Sequence, residues 1–133
     1  MLRAEELMVG DWVYCEGQPT PDNVIIQSIH EDGVWFQGEE FEGAASYDRI
    51  FPIPLTPEIL EKNFGVVERS SDGYNLVINS ELILAFHLKE TLDFWIAQLR
   101  DWPHLTYSLP LPRYVHELQH ALKLCGIDKT IEL

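Results

Sequence analysis

Two cysteines among 133 residues, Cys15 and Cys125, are too few for a disulfide framework, and neither has a His or Cys neighbour at metal-ligand spacing. Both are expected as free thiols, Cys15 at the end of a strand and Cys125 buried on the apolar stripe of a helix. Positive charge is equally scarce. Nine lysines and arginines against 22 acids give a formal charge of −13, so the chain should repel polyanions and is expected not to bind nucleic acid directly. Ordinary acidic surface is the commonest meaning of that balance; attraction of a basic partner and mimicry of DNA by an acidic inhibitor are the two functional ones.

Long apolar runs are missing too. No stretch approaches a membrane span, and Met1–Leu7 lacks the basic, apolar and small-residue succession of a secretory leader, so the expected setting is cytoplasmic, away from membranes. No nucleophile elbow, glycine-rich phosphate loop, paired-cysteine zinc knuckle or basic-aromatic strip occurs, and nucleotide, thiol and nucleic-acid chemistry therefore lack a carrier. The 46% hydrophobic content suffices for one ordinary core or for two small subdomains sharing an interface, and one compact unit is expected.

What stands out is Pro112 to Gly126. Val115, Leu118, Leu122 and Cys125 recur at helical steps, Pro112 suits a first turn, and Gly126 followed by Ile127 suits a left-handed closure. Inside it lies His116-Glu117-Leu118-Gln119-His120. The two histidines fall one turn apart, opposite the apolar stripe, and are expected to face outward to solvent or a cleft. Zinc peptidases use this spacing because two imidazoles one turn apart bind one Zn²⁺ while the intervening carboxylate serves as base towards the metal-bound water. His116 and His120 are thus candidate ligands and Glu117 the candidate base. A third ligand has no family-defining position: Asp128 and Glu132 lie downstream, and His30, His87 and His104 lie elsewhere. The plainer alternative is a solvated helix face.

Met8–Tyr14 reads as a first strand with a bend at Gly10-Asp11, and its Gly-Asp-Trp-Val opening resembles the start of small SH3-like barrels. After a proline-bearing loop, Glu16–Asn23, the runs Val24–His30 and Val34–Gln37 flank Glu31-Asp32-Gly33, the strongest hairpin signal in the chain. Glu39, Glu40 and Glu42 form an acidic loop around Phe41, and Tyr47–Phe51 is expected to close the sheet. Pro52 and Pro54 give an extended exit to a short helix, Thr56–Gly65, capped by Thr56 with Pro57 in its first turn. Beyond it, Val66–Arg69 and Tyr74–Ile78 flank Ser70–Gly73 as a second hairpin, Glu81–Leu88 is a further strand, and Leu105–Tyr107 and Lys129–Leu133 are candidate strands. Thr91–Leu99 fits either helix or strand. Trp12 and Trp35, on the first and third strands, would form a recognition surface if they meet on an open barrel face.

Ile53–Phe64 together with Tyr114–Gln119 resembles a family of small uncharacterised proteins from gut Bacteroidales and their mobile elements, in which a P-L-T…L-x-K-x-G-F segment precedes strands and a terminal Y-V-H-x-L-Q helix. The resemblance covers most of the chain and implies a strand at 91–99. It brings no activity. Those relatives commonly carry another residue at the position of Glu117 and Asn at that of His120, which implies that base and second ligand are local to this sequence.

The expected fold is α+β: a small SH3-like twisted sheet over residues 1–55, then a unit over 56–133 with a joining helix, a second antiparallel sheet and the C-terminal helix packed on it. The expected function is a non-enzymatic binding or adaptor protein with a protein partner and no cofactor. The alternatives are a zinc-dependent hydrolase acting through His116, Glu117 and His120, and the acidic DNA mimic.

Overall fold

The computed structural model describes residues 1–17, 22–39, 41–70, 73–77, 82–87, 93–98, 106–110 and 112–133, and the strands within 65–110 are described by their backbone. The chain is α+β and divides into two compact units. Met1–Pro54 groups with Arg113–Lys129, and Leu55–Pro112 groups with Thr130–Leu133. Among the described residues no helix is long and apolar enough to cross a membrane.

The first unit is built on an antiparallel sheet of β1 (Trp12–Cys15), β2 (Asp22–Ile29), β3 (Gly33–Gln37), β4 (Glu42–Ser46) and β5 (Ile50–Phe51), in the order β4-β3-β2-β1-β5. Alternation selects the faces: Val13, Cys15, Val24, Ile26, Val34, Phe36, Ala45 and Ile50 point into one core with Leu2 and Leu7. In β2 a register shift between Ile26 and Ser28 changes the parity. Ile29 therefore joins that core while Ser28 turns to the other face, opposite Trp35. A 3₁₀ turn, Tyr47–Arg49, carries the chain from β4 to β5.

The expected SH3-like barrel is not formed. β4 and β5 end the strand order without pairing to each other, so the sheet is open. β5 has only two residues, and Leu2 N–H donates to the Ile50 carbonyl at 2.9 Å, which occupies that border with the N-terminal segment.

The second helix, α2 (Val115–Leu124), is shorter than its sequence pattern, since Tyr114 is the N-cap and pairs with Pro54 in an isolated bridge. Its end matches the expectation. Gly126 takes φ +71°, its N–H donates to the Lys123 carbonyl, and Ile127 N–H donates to Leu122 at 2.9 Å, the paired bonds of a left-handed helix stop. Val115, Leu118, Ala121 and Leu122 are buried as the stripe requires, whereas Cys125 is only half-buried. The expected packing of this helix on the second sheet differs from what is found, because α2 belongs to the first unit. The physical reason lies on its polar side, described below.

The second unit contains α1 (Pro57–Asn63) and the antiparallel meander β6 (Gly65–Ser70), β7 (Gly73–Val77), β8 (Leu82–His87), β9 (Asp93–Gln98) and β10 (Thr106–Pro110), paired in sequence order. Thr56 Oγ1 accepts from Ile59 N–H at 3.3 Å, the capping bond foreseen for α1. The ambiguous 91–99 stretch supplies strand β9. Lys129–Leu133 is not a strand: Asn63 clasps it with its side chain, accepting from Glu132 N–H at 2.6 Å and donating to the Glu132 carbonyl at 2.7 Å. Ser71 and Asp72 of the expected second hairpin, with Trp102 and His104, lie outside the described residues.

Candidate functional site

His116, Gln119, His120 and Lys123 follow one another at helical steps and form a second stripe on α2, adjacent to the apolar one. This stripe is turned towards the first sheet, with Lys123 exposed at its end and His120 half-buried. It grips the segment that leads into β1. Lys123 Nζ donates to the Val9 carbonyl at 3.0 Å, Gln119 Nε2 donates to the Gly10 carbonyl at 3.0 Å, and Gln119 Oε1 accepts from Trp12 N–H at 2.9 Å. One side-chain amide thus supplies both the donor and the acceptor that a neighbouring strand would offer there.

At the centre is Asp11, fully buried. Met8–Asp11 is a tight turn closed by Asp11 N–H donating to the Met8 carbonyl at 3.1 Å, and Gly10 at φ +95° lets the backbone reverse. The turn points the carboxylate inward, where Oδ2 accepts from Met8 N–H at 2.8 Å and lies 2.6 Å from His120 Nε2. A carboxylate only accepts, so Nε2 carries the proton in this bond. Asp11 Oδ1 has no hydrogen-bond partner.

His116 is 4% exposed, and its Nδ1 has no partner either. Its ring stands edge-on to that of His120, centroids 5.6 Å apart, and stacks on Tyr114 at 6.0 Å. Burial pushes its pKa below the ordinary histidine value, against the opposing pull of the Asp11 carboxylate, so the neutral ring is favoured near neutral pH. The expectation that both imidazoles face outward to solvent or a cleft is corrected for His116, which is almost wholly enclosed, while both rings border a cleft. His116 is interior and His120 is engaged by a buried acid, because the polar stripe is itself an interface.

A cleft of about 550 Å³ borders this cluster, lined by Leu2, Glu6, Pro52, Tyr114, His116, Glu117 and His120 with Met1. The structure thus brings the candidate base Glu117 to the same cleft as both candidate ligands. Among the described residues, however, no group of three or more His, Cys, Asp or Glu side chains is placed to hold a metal ion. Of the proposed third ligands, His30 lies on the β2–β3 hairpin, bonded to Ser28 Oγ at 2.8 Å. The thiols of Cys15 and Cys125 are both pushed up by burial, which makes them poor nucleophiles.

The two candidate tryptophans share the outer face of the first sheet. Trp12 is opposite Ile25 and Trp35 opposite Ser28, so β2 runs between them. Trp12 is half-buried; Trp35 is 43% exposed and Tyr14, beside Trp12 on β1, is 36% exposed. Trp35 walls a groove of about 290 Å³ whose other lining comes from Val34, Ala44, Ala45, Gly33, Ser46, His30 and Asp32.

Asp11 and Gln119 were missed by sequence reasoning. The one available signal was an acid directly before an aromatic and β-branched run, which reads equally well as a solvated turn. No protein-family model matches the chain, and neither a curated protein nor a solved structure shows detectable similarity to it.

Proposed function

We propose that this is a non-enzymatic binding protein that engages another protein through the outer face of its N-terminal sheet. The observation that carries this reading is Trp35, a large aromatic 43% exposed on that face, opposite the exposed Ala44 of β4 and beside a groove. Exposed aromatics next to apolar hollows are the usual anchors of protein interfaces. The polar groups of α2 support the same reading by subtraction. His120 is engaged with Asp11 while Gln119 and Lys123 fasten the helix to Val9–Trp12, and among the described residues no third donor joins His116 and His120 in a group placed to hold a metal.

A photo-crosslinking amino acid placed at Trp35, and separately at Glu117 in the cleft, tests the proposal in cells that produce the protein. A defined partner captured from position 35, rebinding the purified wild-type protein but not a folded Trp35→Ser variant, is the expected result. Capture from position 117 alone, or full rebinding by Trp35→Ser, would move the site to the cleft. Stoichiometric zinc in tag-free protein, lost in His116→Ala, would replace the binding reading with the hydrolase one.

A further inference from the structure

The two borders of the N-terminal sheet are treated differently. The β5 border is occupied by Leu2 through its bond to Ile50. The β4 border has no such cover among the described residues: Glu42, Ala44 and Ser46 are exposed along it, and no further strand follows β4 in the sheet. Natural edge strands are normally blunted by charged side chains, above all lysine, or by proline, a bulge or brevity, and the one charge in β4 is Glu42 at its first position. β4 is five residues long, Glu-Gly-Ala-Ala-Ser, paired to β3 without a register break, and has neither lysine nor proline.

Small side chains leave its backbone approachable, and the Trp35 groove opens beside Ala44. The electrostatics have one sign. From Ala4 to Asp48 the sequence holds eleven acids and no lysine or arginine. Glu39 and Glu42 are exposed at one end of β4, and Asp48 is exposed at the other, where Asp32 lines the groove. The next base, Arg49, directs its Nε to the Glu16 carbonyl at 2.7 Å.

We infer that β4 is a docking edge for an extended, lysine- or arginine-bearing segment of a partner protein, which adds to the sheet as a sixth strand and seats an apolar side chain beside Trp35. Main-chain bonds to an edge supply affinity in this mode, while the groove and the acidic rim supply selectivity for alternating apolar and basic residues. The inference rests on the outer-face reading above and names its partner chemistry.

The probe is a short peptide alternating lysine and valine, titrated against the whole protein and followed by amide shifts along β4 and by the part of the tryptophan fluorescence change that is lost in Trp35→Phe, since Trp12, Trp95 and Trp102 also emit. Two control peptides accompany it, one N-methylated on alternate residues and one with the same composition in separate lysine and valine blocks. The expected result is saturable binding with shifts at Gly43–Ser46, weakened about tenfold or more by N-methylation, by the block order and by Ala44→Lys in the exposed edge. Equal binding of the N-methylated or block peptide would reduce the effect to general charge attraction and overturn the inference, as would absence of binding. Peptide binding that fails while the crosslink from position 35 persists would remove the edge and keep the face.

Discussion

His120 Nε2 lies 2.6 Å from Asp11 Oδ2 across 109 positions of sequence, and the two ends of this bond differ in exposure. Asp11 is fully enclosed, while the His120 side chain retains 24% of its surface in contact with solvent. The two truncations should therefore differ in cost. His120→Ala strands a buried carboxylate with a single donor, Met8 N–H, and is expected to cost about 3–5 kcal/mol. Asp11→Ala removes the buried charge and leaves groups that water reaches more readily, for about 1–3 kcal/mol. Chemical denaturation of both variants checks the order, and equal costs would mean that the lone Asp11 carboxyl finds other partners once His120 is gone.

The depressed pKa of His116 makes stability depend on pH with a definite sign. The unfolded chain takes up this proton near the ordinary histidine value, about 6.5. The folded chain takes it up only at lower pH, so within that window the unfolded state binds more protons. Stability is therefore expected to fall as pH drops below about 6.5 and to level off once the folded imidazole also titrates. Denaturation midpoints at several pH values, compared between wild type and His116→Leu, isolate this contribution. The variant should show a shallower slope; an unchanged slope would assign the dependence to other groups.

Much of this architecture is written locally. Thr56-Pro57-Glu58 starts α1, Asp32-Gly33 opens the β2–β3 hairpin, and Gly126-Ile127 stops α2, each through interactions within a few residues. β4 was not legible, because glycine and alanine favour strands weakly and its extended state comes from pairing with β3. The alternation of Ile131 and Leu133 suggested a strand where Asn63 instead holds the chain by its side chain. The site failed for a related reason. Helical spacing tells which residues share a face, but it cannot tell that Gln119, His120 and Lys123 on that face bond to Val9–Trp12.

Gln119 offers a local test of that interface. Replacing it by alanine deprives Trp12 N–H and the Gly10 carbonyl of their partners at once, at an expected cost of about 1–3 kcal/mol. The sharper readout is amide hydrogen exchange. Trp12 N–H should exchange faster in Gln119→Ala, while the paired amides of β3 and β4 keep their protection relative to global stability. Unchanged exchange at Trp12 would show that α2 is anchored by other contacts.

Gly33 and Gly126 separate two reasons for glycine. Gly126 sits at φ +71°, and a methyl added there would meet nothing within 4 Å, so Gly126→Ala carries only the cost of the left-handed backbone, about 1–2 kcal/mol. At Gly33 the conformation is ordinary, but an added Cβ would lie 2.2 Å from the Ala45 carbonyl oxygen, a contact that only a shift of the strand backbone relieves. Gly33→Ala should therefore displace β4 from β3 and perturb the amides of Gly43–Ser46, whereas Gly126→Ala should lower stability and leave those amides in place. Because β4 also borders the Trp35 groove, the Gly33 variant is expected to lose the lysine–valine peptide and the Gly126 variant to retain it. Heteronuclear amide spectra of the two proteins, with and without that peptide, check both halves; an unperturbed β4 in Gly33→Ala would show that the turn at Gly33 absorbs the methyl without moving β4.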